Sequence, residues 1–122
     1  MGTGHSVSIL LAEDHDDTRA VLSRLLVHHG YTVHAAGSVA AAKALAAGNR
    51  CDLLISDLGL SDGSGETLMQ ELKSQYGLKG LAMSGYTMPE HIESARRAGF
   101  DQFIAKPLSF SKLLLVIEEL TR

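Results

Sequence analysis

Polar side chains follow most of the short apolar runs in this 122-residue chain, and their types suit one kind of chemistry. In chain order these residues are Glu13, Asp14, Asp57, Ser84 and Lys106. A carboxylate can attack phosphorus to give an aspartyl phosphate, while a lysine and a hydroxyl stabilise the charge on the transferred group. The residue types therefore favour phosphoryl transfer, provided that the fold brings these side chains together.

The three carboxylates in this set would repel one another in a shared crevice. At a separation of about 4 Å and an effective dielectric constant near 20, each close pair costs roughly 4 kcal/mol. Such a cluster must either bind a cation or take up protons. Its donors are hard oxygens, and we expect no histidine to join them, so the predicted ion is Mg²⁺.

The elements that must position these residues are read from an alternation of two kinds of segment. Short apolar runs predict five β-strands, and a segment with helical periodicity follows each of them. The predicted strands cover residues 7–12, 32–36, 53–56, 81–84 and 102–105. The predicted helices cover residues 18–29, 39–47 and 66–76, a segment between Pro89 and Gly99, and a last segment after Ser109.

Five strand–helix repeats predict a three-layer α/β/α domain with a parallel sheet in the middle. The continuous apolar runs at residues 9–11 and 53–55 fit strands that are buried on both faces. In such sheets the functional crevice lies beyond the carboxyl ends of the strands, where the strand order reverses. Because the polar residues stand at these ends, we expect them to meet in one site.

Local signals predict where the helices end and which faces they bury. Ser38 and Ser109 are N-cap candidates, and glycines follow the helical segments as stop signals. The residues predicted to face inward are Val21, Leu22, Leu25 and Leu26 in the first helix, and Phe110, Leu113, Leu114, Ile117 and Leu120 in the last. Leu115 and Val116 lie off the last of these stripes, where they mark either a dimer face or the edge of a broad core.

Composition argues against several other classes of protein. A formal net charge of −3 lacks the basic excess of a nucleic-acid-binding domain. No apolar run approaches the roughly 20 residues that span a bilayer, so we expect no membrane contact. Residues 1–6 resemble a leader or linker, and residues 7–122 suffice for one domain. The single cysteine, Cys51, has no internal disulfide partner, which fits the cytoplasmic location that we expect.

Five motifs, in order, resemble the receiver domain of two-component response regulators over nearly the whole chain. They are ILLAED at residues 9–14, LLISD at 53–57, DGSG at 62–65, MSGY at 83–86 and FIAKP at 103–107. The resemblance implies a flavodoxin-like (βα)5 fold with strand order 2-1-3-4-5. It also implies a domain that accepts a phosphoryl group from a phosphohistidine and then switches the way one face binds a partner.

The resemblance assigns the phosphoryl acceptor and its metal ligands. Asp57 is similar to the family's phosphoacceptor, and Glu13 and Asp14 are similar to the acidic pair that holds Mg²⁺ with it. The backbone carbonyl of Gly59 is similar to a further metal ligand.

The resemblance also assigns the residues that respond to the phosphoryl group. Ser84 and Lys106 are similar to the family's switch hydroxyl and lysine, which contact that group. Phe103 corresponds to the switch aromatic, and Pro107 to a proline whose preceding peptide bond is cis in the family. The implied phosphodonor is a histidine kinase or a histidine phosphotransfer domain, and a homodimer through the last helix and its neighbours is a further expectation.

Two other functions compete with this interpretation. The first is a receiver-like interaction module that works without phosphorylation, although the acceptor, acidic pair and lysine are all present. The second is a phosphatase with an aspartyl nucleophile, but such enzymes usually carry another acid where Gly59 stands. We therefore expect self-catalysed phosphotransfer and autodephosphorylation rather than an enzyme for external substrates. The protein is either a stand-alone regulator or a domain of a hybrid histidine kinase. The MSGYTMP segment at residues 83–89 is similar to receiver domains at the C-termini of kinases, and this resemblance favours the kinase.

Overall fold

The computed structural model of the protein describes residues 7–85 and 87–122. The predicted leader at residues 1–6 and Tyr86 of the MSGY motif lie outside these residues. In chain order the elements are β1 Ser8–Ala12, α1 Asp16–His28, β2 Thr32–Ala36, α2 Val39–Gly48, β3 Leu53–Asp57, β4 Gly59–Leu60, β5 Gly63–Ser64, α3 Gly65–Tyr76, β6 Lys79–Ser84, α4 Pro89–Ala98, β7 Gln102–Ala105 and α5 Phe110–Leu120.

Five of the strands form one parallel sheet in the order β2-β1-β3-β6-β7. The flavodoxin-like order 2-1-3-4-5 is therefore confirmed when only the strands of this sheet are counted. In the register between β1 and β3, Ala12 lies opposite Ser56, so the next residues, Glu13 and Asp57, lie at the same level along the strands. The order reverses beside β1, where a parallel sheet places its functional crevice.

Each face of the sheet carries its own apolar layer. Alternate residues of β1 belong to different layers. Leu10 lies in the layer that includes residues of α2, α3 and α4, and Ile9 and Leu11 lie in the layer that includes residues of α1 and α5. A strand that is covered on both sides needs apolar residues at consecutive positions, which explains the runs noted in the sequence. The three-layer architecture is therefore confirmed.

The first helix differs from its prediction at its start and on its inner face. It begins at Asp16, two residues before the predicted position, and Leu22 and Leu26 are its buried residues. Val21, predicted to face inward, is 56% exposed. The side of the helix that contacts the sheet is centred on Leu22 and Leu26, which are four residues apart. It is narrower than the stripe of apolar residues in the sequence, so Val21 lies outside it.

A short antiparallel hairpin, β4–β5, follows β3 and was not predicted. Its turn residue Asp62 uses both carboxylate oxygens to accept hydrogen bonds from the amides of Val39, at 2.7 Å, and Ala40, at 3.1 Å. The predicted cap, Ser38, accepts from the Ala41 amide at 3.1 Å. Asp62, the first residue of the DGSG motif, therefore caps α2 and ties the hairpin to that helix.

Among the described residues, no helix combines the length and the apolar character that a membrane crossing requires.

Candidate functional site

The polar residues at the strand ends lie at one edge of the sheet. Asp57 is the last residue of β3, and Glu13 follows β1 directly. The Glu13 amide donates to the carbonyl of Ala36 at 3.0 Å, and the Leu58 amide donates to the carbonyl of Met83 at 3.3 Å. These hydrogen bonds extend the pairing of the sheet by one residue, so the sheet fixes the backbone positions of Glu13 and Asp57.

Lys106 joins the two acidic residues across the crevice. Its Nζ lies 2.5 Å from Oδ2 of Asp57 and 3.1 Å from Oε1 of Glu13. The Glu13 side chain is completely buried, whereas those of Asp57 and Lys106 are 15% and 26% exposed. One ammonium group thus neutralises two carboxylates, and Asp57 keeps an opening to solvent through which a reactant can approach.

The backbone around Lys106 places its side chain over this crevice. The Lys106 amide donates to the carbonyl of Ser84 at 2.9 Å, which holds the end of β7 beside the end of β6. The peptide bond between Lys106 and Pro107 is cis. Lys106 therefore reaches Asp57 from the end of β7, which lies on the far side of β6 from β3, although 49 residues separate them in sequence.

The charges in this crevice shift two pKa values in opposite directions. Burial by itself raises the pKa of Glu13, but hydrogen bonds from the backbone and ring of His15 and from Lys106 outweigh it and lower that pKa. Partial burial by itself lowers the pKa of Lys106, but its hydrogen bonds to Asp57 and Glu13 raise it overall. Both shifts favour the charged forms, so the crevice holds an ion pair at neutral pH.

His15 is a member of this site that the sequence reasoning missed. Its Nδ1 lies 3.0 Å from Oε2 of Glu13 and 3.5 Å from Oδ1 of Asp14. The expectation that no histidine is placed to join these carboxylates was therefore wrong. The Glu13 hydrogen bond is the largest cause that raises the pKa of His15. The available signal was adjacency, since His15 follows Glu13-Asp14 directly in the loop before α1.

Arg19 also belongs to the surroundings of the site and was not singled out from sequence. Its Nη1 donates to the backbone carbonyl of Glu13 at 2.9 Å, and its Nη2 lies 2.6 Å from Oδ1 of Asp16. A Cβ added at Gly37 would come within 2.8 Å of Nη1, so the guanidinium also lies against the loop after β2. Arg19 therefore connects two loops and supports the backbone from which Glu13 projects.

The two predicted switch residues lie on neighbouring strands. Ser84 ends β6 and is 1% exposed. Phe103, in β7, is half-buried and packs against the apolar layer beneath α4. The register pairs Ala82 with Phe103 and Ser84 with Ala105, so both residues sit on the same pair of strands.

The acidic residues fit the requirements of a hard divalent cation. Ligand atoms of Glu13, Asp14 and His15 all lie within 4.8 Å of one another, and Asp57 is linked to Glu13 through the shared ammonium of Lys106. Oδ1 of Asp57 accepts from the Gly59 amide at 3.3 Å, so the hairpin that carries the Gly59 carbonyl lies against Asp57. Carboxylate and carbonyl oxygens are the ligands that Mg²⁺ prefers.

The close approach of α3 to Asp57 gives a prediction for Gly65. A Cβ at this buried position would lie 2.1 Å from the backbone oxygen of Asp57 and 2.8 Å from Oγ of Ser56. The backbone of Asp57 must move to make room for the added methyl group. Gly65→Ala is therefore expected to lower the free energy of unfolding by about 3 kcal/mol, the upper end of the usual range for overpacking substitutions. Chemical denaturation measures this loss. Gly48→Ala is the control, since no atom lies within 4 Å of its added Cβ, and an equal loss there would contradict the explanation.

Comparisons with known proteins agree on one family. The family whose sequence model matches residues 9–118 is described as the response regulator receiver domain. The sensor kinase CckA of Brucella abortus is 30% identical over 118 residues, which cover 94% of this chain and 12% of CckA. The probable transcriptional regulatory protein TcrX of Mycobacterium tuberculosis is 28% identical over 98% of this chain and 51% of TcrX. This chain therefore spans about half the length of TcrX and a small part of CckA.

A solved structure supports the same assignment at the level of the fold. The CheY-like response regulator receiver domain protein of Methanospirillum hungatei superimposes with a TM-score of 0.89 at 26% identity. The match covers 94% of this chain and 93% of that one. The similarity thus extends over the sheet and both layers of helices.

Proposed function

Since the chain belongs to the response regulator receiver domain family, we propose that Asp57 is the side chain on which it accepts a phosphoryl group. Receiver domains of two-component systems are phosphorylated on an aspartate and bind Mg²⁺ in an acidic pocket. The observation that carries the proposal is the bridge from Asp57 through Lys106 to Glu13, with distances of 2.5 and 3.1 Å. Asp57 is the partly exposed carboxylate of this bridge, so it is the one that a phosphodonor can reach.

We assign the metal ligands of the proposed site to Glu13, Asp14, Asp57 and the backbone carbonyl of Gly59. Bound Mg²⁺ would offset negative charge on the transferred group. The chain's own residues supply the rest of the chemistry. An oxygen of Asp57 forms the new bond to phosphorus while the bond from phosphorus to the donor's imidazole nitrogen breaks, and the Lys106 ammonium stabilises the phosphoryl oxygens.

The proposed switch follows from the position of Ser84 and Phe103. A phosphoryl group on Asp57 adds roughly −1.5 to −2 charge and strong acceptor oxygens. Ser84 would turn its hydroxyl toward these oxygens, and Phe103 would move inward. Carrying the population from 1:99 to 99:1 requires a bias of about 5.5 kcal/mol, to which the charge-assisted contacts of Lys106 and Ser84 contribute.

Receiver domains interact with histidine kinases or phosphotransfer proteins, and we propose that such a protein is the phosphodonor here. A groove of about 400 Å³ beside Lys106 supports this, because its wall includes the apolar side chains of Val21, Leu22 and Leu108. A partner that docks in this groove would cover the exposed side chain of Val21.

A homodimer through the last helix is a separate proposal. Leu115 in α5 is 63% exposed, whereas its neighbour Val116 packs partly against the apolar layer. Leu115 is therefore the better candidate for a contact between two copies. Whether the chain acts alone or as a domain of a hybrid kinase stays a prediction, because it spans 12% of the sensor kinase CckA and 51% of the regulatory protein TcrX. The cytoplasmic location and the absence of nucleic-acid contact stay predictions.

The proposed function is tested by incubating the protein with Mg²⁺ and acetyl phosphate and measuring its intact mass. We expect a single phosphoryl adduct that hydroxylamine removes, because hydroxylamine attacks acyl phosphates. If no adduct forms with acetyl phosphate or with a phosphorylated histidine phosphotransfer protein, the domain is an interaction module that works without phosphorylation. Rapid repeated hydrolysis of unrelated phosphate esters would instead identify a phosphatase.

A further inference from the structure

The loop before α1 presents a nitrogen ligand beside the two carboxylates of the proposed Mg²⁺ site. Within residues 7–85 and 87–122, the group of three acidic or histidine side chains that could share one ion is Glu13, Asp14 and His15. His15 Nδ1 lies 3.0 Å from Glu13 Oε2 and 3.5 Å from Asp14 Oδ1. Adjacent ligands of an octahedral ion with bonds near 2.1 Å are about 3.0 Å apart. The 3.0 Å contact is a hydrogen bond in the metal-free protein, and the ligand atoms of the three residues, all within 4.8 Å of one another, are close enough to share one ion.

The backbone holds His15 at this position. His15 is the residue before the first turn of α1, with φ −81° and ψ 117°, and its amide donates to the same Oε2 of Glu13 at 3.0 Å. Arg19 fixes the other side of this loop by donating to the Glu13 carbonyl. The imidazole is 74% exposed, so the ring can turn its nitrogen toward an ion without disturbing the core.

Imidazole changes which ions such a pocket prefers. A set of carboxylate and carbonyl oxygens suits Mg²⁺, whereas imidazole suits Ni²⁺, Zn²⁺ and other later transition metals. The affinity of mixed nitrogen and oxygen sites rises along the first transition row toward copper. A pocket with His15 available would thus bind two classes of ion with different donor sets.

We infer that His15 is a ligand for first-row transition-metal ions in the proposed Mg²⁺ site, so that the pocket binds Mg²⁺ through oxygens alone and Ni²⁺ or Zn²⁺ through Asp14, Glu13 and the His15 imidazole. This inference rests on the proposed metal site. In the metal-free protein the imidazole has an ordinary role as the hydrogen-bond partner of Glu13. When a transition metal binds, the Nδ1 proton passes to water or the ring adopts the other tautomer, and the freed lone pair binds the ion.

The test uses tag-free protein, the variant His15→Ala and the control His28→Ala. His28 lies in the last turn of α1, exposed and outside the Glu13–Asp14–His15 group. Calorimetric titrations with Mg²⁺ and with Ni²⁺ compare the three proteins. We expect His15→Ala to weaken Ni²⁺ binding by on the order of tenfold or more beyond any change in Mg²⁺ binding, because only Ni²⁺ loses a ligand, with His28→Ala like wild type.

A second measurement identifies the ligand atom directly. In nitrogen-15 NMR spectra of the wild-type protein, Zn²⁺ is expected to shift the ring nitrogens of His15, whereas saturating Mg²⁺ leaves them nearly unchanged. Equal Ni²⁺ affinities in His15→Ala and wild type, or an unshifted His15 ring with Zn²⁺, would overturn the inference while leaving the Mg²⁺ site in place. Failure of Mg²⁺ and Ni²⁺ alike to bind the wild-type protein would remove the proposed metal site, and the inference with it.

Discussion

Asp57→Asn is expected to abolish the phosphoryl adduct, to the detection limit of intact-mass measurement, after incubation with Mg²⁺ and acetyl phosphate. The amide is a far weaker nucleophile than a carboxylate and gives no stable acyl phosphate. The fold is expected to remain, because Lys106 keeps Glu13 as a partner at 3.1 Å and β3 pairs through its backbone. Loss of the adduct in a folded variant would therefore identify Asp57 as the residue that accepts the phosphoryl group.

Asp17→Asn is the matched control for this experiment. It makes the same change from carboxylate to amide in the first turn of α1, where Asp17 is exposed, and it is expected to form the adduct as wild type does. Circular dichroism verifies that both variants are folded. An adduct that persists in Asp57→Asn would place the acceptor at another residue and contradict the proposed site.

Lys106→Met is expected to have the second-largest effect, on phosphorylation and on stability together. Removing one fixed group that stabilises developing charge slows a reaction by roughly 100-fold or more, and we expect that loss for acetyl phosphate. Removing one partner of a buried ion pair costs about 3–5 kcal/mol, but Lys106 is 26% exposed and His15 also contacts Glu13, so we expect about 3 kcal/mol or less. Rate measurements and chemical denaturation check these two values.

Stabilisation by Mg²⁺ tests whether Lys106 and the ion share the same carboxylates. Without the ammonium, Glu13, Asp14 and Asp57 are left with less neutralising charge, so a bound cation should stabilise the variant more than it stabilises wild type. The measured quantity is the rise in melting temperature on addition of Mg²⁺. Lys112→Met is the control, because Lys112 is exposed in α5 and far in sequence from the acidic residues. An identical rise in Lys106→Met and wild type would show that Lys106 and the ion do not share these carboxylates.

The pH dependence of this stability difference follows from the two pKa shifts. The pKa of Glu13 is lowered in the folded protein, so its contribution is present above the ordinary glutamate value near 4.5 and is lost as pH falls through the folded pKa. The pKa of Lys106 is raised, so its contribution is present below about 10.5 and is lost as pH rises through the folded pKa. The gap between wild type and Lys106→Met should therefore be widest in the neutral range and close at both extremes.

Much of the fold could be predicted because its signals are local. Periodicity identified all five helices, and Ser38 at the start of α2 was recognised because a cap bonds to amides only two or three residues away. The convergence of the strand-end residues was also predictable, since parallel strands present their carboxyl ends at one edge. These inferences needed no knowledge of side-chain geometry.

What remained beyond prediction depends on contacts between distant or loosely constrained side chains. Asp62 caps α2 although it lies 23 residues from Val39 in sequence. The exposure of Val21 depends on the rotation of α1 about its own axis as it packs on the sheet. The position of His15 depends on a loop whose course is set by the hydrogen bonds of Glu13 and Arg19.

The sequence by itself determined the order of the elements, the sheet class and the residues at the strand ends, because backbone periodicity and capping act over a few neighbouring residues. Only the tertiary structure decided that Lys106 bridges Glu13 and Asp57 across 93 and 49 residues, and that an imidazole lies beside the acidic pair. The physical reason is that such distances depend on strand register and side-chain rotamers, which the whole packed domain sets together.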